Sequence, residues 1–225
     1  NLIELGWLQE SRGETRILTM HPLVREVVWG ELKPNGGNCK VFWEALWDQY
    51  DPNGAYSAPK LEQMAEAFAR AAEILPLEPA EQALLWNRSG YLFGEFGNYP
   101  KQLDFYEKAL AIQEKVLPPN HPDLAVSYNN IGMAWGALGG HHKELEFFQK
   151  ALAIQEKILP SNHPHLGTIY NNIGLAWGKS GDYNKGLEFS QKALTIREKV
   201  LPPNHPHLAT SYNNVGYTWG QLRNH

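Results

Sequence analysis

The chain has 225 residues, 43% of them hydrophobic and 20% charged, with a formal net charge of −4. That composition supplies a sizeable core, gives no electrostatic reason to expect nucleic acid as a partner, and leaves the single cysteine, Cys39, without an intrachain disulfide partner. No apolar run approaches the roughly 18 residues that a membrane-crossing helix needs, no signal peptide is visible, and a lone thiol suits a reducing compartment, so a cytoplasmic location is expected.

Residues 1–34 are not repetitive. Leu2, Ile3 and Leu5 suggest the end of a helix. Gly6–Glu10 and Thr15–Met20 flank the polar turn Ser11–Glu14 and read as a β-hairpin. His21-Pro22 then opens a helix over Leu23–Leu32. This order matches the tail of a winged-helix unit. The run LTMHPLVREVV resembles the methionine-histidine-aspartate segment of nucleotide-switch ATPases of the STAND (NB-ARC) class. That resemblance implies a nucleotide-contacting role for His21, and a need for ADP or ATP, in the full-length protein only. Pro22 stands where that family has aspartate. A plain helix-start role for His21 remains the alternative.

Lys33–Asn38 (KPNGGN) is a turn-rich linker. Val41–Tyr50 reads as a short helix with Phe42, Trp43, Leu46 and Trp47 on its apolar side, and Asp51–Pro59 as a second linker. Leu61–Leu75 reads as an alanine-rich helix that places Leu61, Met64, Ala65, Phe68 and Ala72 on one face. The helices of 35–77 are expected to join residues 1–34 to the C-terminal region and to cover the near end of that region.

From Pro79 onward the sequence repeats. The 42-residue blocks beginning at His121 and His163 are identical at 26 of 42 positions, His205 begins the same words again, and a degenerate copy starts near Pro79. A fixed period of this kind marks a stacked array. The units are 79–120, 121–162, 163–204 and a partial 205–225. In each, larger residues recur at steps of three and four, as in Leu124, Tyr128, Ile131, Trp135 and Leu138. Gly139-Gly140 stops that helix, a second runs through Leu145, Phe148, Ala151, Leu152 and Ile158, and Pro160 ends it. Asn162-His163-Pro164 restarts the cycle with proline in a first helical turn. Gly132, Gly174 and Gly216 recur inside the first helix. Each costs about 1 kcal/mol against alanine, so close helix contact is expected there.

The aromatic–glycine–aromatic spacing Tyr128, Gly132, Trp135, the turn at Gly139 and the pair Ala151-Leu152 resemble the tetratricopeptide repeat. The 42-residue length, the Asn-Asn pair and the closing EKVLPPNHP are similar to the long subtype of kinesin light chains. The resemblance implies an all-α, right-handed superhelix of stacked hairpins over 78–225, behind the small winged-helix-like segment of 1–34. It also implies a binding module, and the residues themselves offer no catalytic set. The usual small residue early in the second helix is replaced by Glu144 in one copy and present as Gly186 in the next.

Apparent chemical motifs dissolve on inspection. Gly174–Ser180 is one residue short of a phosphate loop and lies within a helix pattern. His121, His163 and His205, with Asp123, His165 and His207, recur at helix starts that a two-helix step of about 20 Å would hold apart, so no metal site is expected. Cys39 lacks an evident base.

The Asn pairs are the candidate site. Asn129-Asn130, Asn171-Asn172 and Asn213-Asn214 recur in register, with Asn87-Arg88 in the first copy. The resemblance places them on a concave groove, where Asn offers an acceptor and two donors to a peptide backbone. Tyr91, Met133, Leu175 and Tyr217 follow one turn later, and Gly94, Gly136, Gly178 and Gly220 leave room beside them. The competing reading is that one Asn of each pair bonds within the stack. Only Arg88 and Lys179 stand near enough in sequence to assist a carboxylate clamp. The expected partner is a protein or peptide, either for the sensor end of a STAND-type signalling ATPase or for a kinesin-light-chain-like scaffold. Asn1 and His225 are read as internal to a longer protein, and the open last repeat as a face through which copies could associate.

Overall fold

The computed structural model describes residues 8–10, 18–20, 58–74 and 77–223. The expectations for His21, the winged-helix segment, Cys39 and the helix at 41–50 lie outside these residues. The chain divides into two compact units, Asn1–Phe96 and Gly97–His225.

In the first unit, β1 (Leu8–Glu10) and β2 (Leu18–Met20) pair antiparallel, with Leu8 opposite Met20 and Glu10 opposite Leu18. Helix α1 (Ala58–Ile74) packs on α2 (Pro79–Glu95). All five residues expected on the apolar face of α1 are buried. Two polar ties hold the pair antiparallel: Ser89 Oγ donates to the Ala65 carbonyl, and Gln82 Nε2 donates to the Ala72 carbonyl at 2.7 Å.

Among the described residues the second unit holds six helices: α3 (Tyr99–Val116), α4 (Pro122–Ala137), α5 (His141–Ile158), α6 (Pro164–Lys179), α7 (Tyr183–Val200) and α8 (Pro206–Arg223). Each packs on the next, and α8 also approaches α6. One apolar core runs through α3 to α7, from Leu103, Tyr106 and Leu110 through Ile131, Phe148, Ala151 and Ile173 to Ile196. A single hairpin cannot bury two faces, so the core is continuous along the stack rather than closed within a repeat.

The helix starts explain the recurrent histidines. His121, His163 and His205 each accept the backbone N–H two residues on at Nδ1, at 3.1–3.2 Å. This caps a first turn whose amides otherwise lack partners. The turns Gly139 and Gly181 have φ of 78° and 89°, which only glycine adopts freely. Gly132 and Gly174 sit at close contacts, as expected: a Cβ on Gly132 would lie 2.6 Å from the Phe148 ring, and one on Gly174 3.0 Å from the Gly186 carbonyl. Gly216 departs from that expectation, because nothing lies within 4 Å of where its Cβ would be. No described helix covers α8 as α5 covers α4.

A second tie joins each repeat to the next. Tyr128, Tyr170 and Tyr212 each donate a phenolic hydrogen to Glu114, Glu156 and Glu198 at 2.7 Å. Burial, then the bond to the carboxylate, pushes Tyr128 and Tyr170 up to about 12. Tyr212 is raised too, chiefly by its bond to Glu198.

Candidate functional site

Helices α4, α6 and α8 are first helices of successive repeats, and residues at steps of four, three and four form one stripe on each. On α4 the stripe is Val126, Asn130, Met133, Ala137; on α6 it is Thr168, Asn172, Leu175, Lys179; on α8 it is Thr210, Asn214, Tyr217, Gln221. Side by side, these make a row of Asn beside a row of apolar residues. Met133, Leu175 and Tyr217 are 49%, 39% and 63% exposed although all three are large and apolar. The row is therefore not part of the core.

The Asn pairs are bonded to one another across repeats. Asn172 Nδ2 donates to Asn129 Oδ1 at 3.1 Å, and Asn214 Nδ2 donates to Asn171 Oδ1 at 2.9 Å. The second Asn of one repeat thus grips the first Asn of the repeat before it. Asn129 is half-buried and Asn171 buried, whereas Asn213 is exposed. Asn172 and Asn214 keep Oδ1 and one amide hydrogen unspent, and half-buried Asn130 makes no side-chain hydrogen bond among the described residues. Each histidine cap spends Nδ1 on its own helix, and the described residues contain no cluster of three or more metal-ligating side chains.

In the first unit, Asn87 Oδ1 is buried without a hydrogen-bond partner among the described residues. Arg88 lies over the Phe68 ring, 5.8 Å from its centroid, and Tyr91 is 36% exposed.

Lys179 is engaged elsewhere than in a clamp. Its Nζ lies 3.5 Å from Glu144 Oε1, while His141 Nδ1 lies 2.8 Å from Glu144 Oε2. Glu144 is buried because Gly136 has no Cβ: one there would lie 2.3 Å from its carboxylate. Residues Gly174–Lys179 belong to the continuous helix α6, which spends its amides internally and cannot cradle a phosphate.

Arg197 is a polar residue that the sequence motifs did not single out. It is buried on α7, where its Nη1 donates to Asn171 Oδ1 at 3.4 Å, the His207 carbonyl at 3.2 Å and Ser211 Oγ at 2.7 Å. Burial holds its guanidinium below the usual arginine range. The column of equivalent positions carries the signal that could have found it, since Gln113 and Gln155 occupy the same register. Gln113 bonds Ser127, at 2.5 Å. Gln155, opposite Ile169 in that register, has a buried Oε1 with no partner among the described residues. Trp135 and Trp177 are half-buried against the core beneath Lys143 and Lys185, at 3.9 and 4.1 Å from the ring centroids. Trp219, the corresponding residue of the last repeat, is 53% exposed because no described helix covers α8.

Residues 81–157 match one model of the tetratricopeptide repeat and residues 166–207 match another, together more than half of the chain. None of the curated proteins compared matches it in sequence. In fold it is similar to the nearly identical TPR-like repeats of a Podosopora anserina chain assigned as a kinesin light chain, with a TM-score of 0.69 and 19% identity over 84% of this chain and 89% of that one. It is similar as well to BtubC (BKLC) from P. vanneervenii, with a TM-score of 0.66 and 20% identity over 88% and 78% of the two chains. The apo form of RapI gives 0.65 and 18% over 82% and 64%. At these identities the likeness is one of fold. No helix among the described residues is long and apolar enough to cross a membrane.

Proposed function

We propose that this chain, which belongs to the tetratricopeptide-repeat family, is a peptide-binding module that takes its partner across α4, α6 and α8. Repeats of this family mediate protein and peptide binding. The observation that carries the proposal here is the exposed row Met133, Leu175, Tyr217 beside Asn side chains with unspent hydrogen-bonding capacity. Exposed apolar groups in register, rimmed by polar ones, mark interaction surfaces. The amides satisfy a peptide backbone while the apolar row takes its side chains.

The test is selection of peptides on the full chain, followed by binding to Met133→Glu and Asn130→Ala variants. These positions make no inter-repeat hydrogen bond among the described residues, so loss of binding with unchanged circular dichroism reads the surface rather than the stack. Binding that ignores both substitutions refutes the proposal. Asn172 and Asn214 are poorer choices, because their removal also cuts the bonds to Asn129 and Asn171.

The finer reading places this module at the ligand-sensing end of a STAND-type signalling ATPase. Its support is the run LTMHPLVREVV ahead of the repeats. A kinesin-light-chain-like scaffold is the second reading, favoured by the 42-residue period. A phosphate-loop domain encoded upstream supports the first, and heptad repeats there support the second.

A further inference from the structure

We infer that Arg197 is a positioning residue for the Asn row: its donor-only guanidinium fixes the carboxamide of Asn214, while that of Asn172, one repeat earlier, stays free to invert. A carboxamide has an acceptor end and a donor end of similar size, so its neighbours decide which way it faces. A guanidinium only donates. Asn171, with Oδ1 3.4 Å from Arg197 Nη1, is held in that orientation, because Nδ2 in the same place would set donor against donor. The same Oδ1 accepts from Asn214 Nδ2 at 2.9 Å. Asn214 thus has Nδ2 committed to the stack and keeps Oδ1 as the acceptor it offers. The effect on a partner rests on the peptide-binding reading of the row; the orientation does not.

The repeat before has the same bond without the cation. Asn172 Nδ2 donates to Asn129 Oδ1 at 3.1 Å, but Gln155 stands in the register of Arg197, and its buried Oε1 has no partner among the described residues. Exchanging donor and acceptor at both asparagines keeps that bond, and Asn129 makes no other side-chain hydrogen bond among the described residues. Packing does not call for arginine either. Gln113, in the same register, bonds Ser127 as Arg197 bonds Ser211. Arg197 is 7% exposed, and no carboxylate pairs with it among the described residues. Burying a lone cation costs stability that a neutral glutamine does not. What arginine adds over glutamine at this register is that it cannot accept.

Heteronuclear NMR of the full chain tests this without a ligand, through the scalar coupling carried across the hydrogen bond from Asn214 Nδ2 to the Asn171 carboxamide carbon. The parent should show that coupling in full, and a coupling between Asn172 and Asn129 reduced by averaging over two orientations. Equal couplings at the two pairs overturn the inference. Arg197→Gln, the residue of the other repeats, should stay folded by circular dichroism and reduce the Asn214 coupling, whereas Arg197→Lys, which still only donates, should keep it. A coupling unchanged in Arg197→Gln, or lost alike in both variants, overturns the inference, the second because packing then held the carboxamide. Peptides selected on the full chain should bind Arg197→Gln roughly threefold to tenfold more weakly, the worth of one neutral hydrogen bond. Peptides weakened by Asn130→Ala but not by Arg197→Gln overturn the role of Arg197 and leave the binding face standing. Peptides indifferent to Asn130→Ala and Met133→Glu overturn the face, and the couplings alone then decide the orientation.

Discussion

The hairpins α4–α5 and α6–α7 occupy the same register and solve the same packing problem in opposite ways. In the first, Gly132 and Gly136 are hollows filled from the partner helix by the Phe148 ring and the Glu144 carboxylate. In the second, the corresponding partners are Ser190 and Gly186: a Cβ on Gly174 would meet the Ser190 hydroxyl at 2.6 Å and backbone at 3.0 Å, while one on Gly178 would meet nothing within 4 Å. A Cβ on Gly186 would lie 3.1 Å from the Gly174 carbonyl and 3.2 Å from the Gly178 amide. The glycines of the first helix are thus common to both repeats, but the first hairpin uses them to admit large side chains, whereas in the second Gly174 lets the backbone at Gly186 and Ser190 come close. These two repeats keep one fold although the side chains between their helices differ greatly in size, because the smaller pair is matched by a closer backbone approach.

Substitutions that break this contrast are ordered by the volume they disturb. Phe148→Ala empties a fully buried ring site and should cost about 3–5 kcal/mol in urea unfolding, while Ser190→Ala in the other hairpin should cost only about 1 kcal/mol. Equal losses would refute the division into filled and closed hairpins. Gly174→Ala pushes a methyl group against the Gly186 carbonyl and Ser190 backbone, which cannot rotate away, and should cost about 1–3 kcal/mol. A neutral result there would show that the second hairpin has slack.

Smaller effects probe what the two hairpins share. Tyr128→Phe or Tyr170→Phe should each cost about 1 kcal/mol near neutral pH by deleting the bond to glutamate. The pH dependence has a definite sign. The folded phenols are raised to about 12 from 10, so they hold their protons more tightly folded than unfolded. Their contribution is fully present below pH 10 and is lost as pH rises from 10 through about 12. The Tyr128→Phe/Tyr170→Phe double variant should therefore lose stability less steeply over that range than the parent, as read by alkaline unfolding. Smallest of all, Lys179→Ala removes a half-exposed partner of Glu144 and should cost under about 1 kcal/mol, because His141 remains bonded to the same carboxylate.

The sequence by itself determined the parts of this protein that depend on near neighbours along the chain. The helix pairs of each repeat, the proline starts, the histidines at helix starts and the turn glycines all act within a few residues, and all stand as read. The apolar face of α1 was legible for the same reason, since a period of 3.6 residues is local. Only the tertiary structure decided the fate of groups that reach from one repeat to the next. Whether Asn172 bonds Asn129, whether Glu144 is solvated or buried over Gly136, and whether Arg197 finds Ser211 depend on residues up to 43 positions away. Trp219 makes the point most simply. It stands in the same words as Trp135 and Trp177, yet it is exposed, because burial belongs to the neighbouring helix and not to the residue.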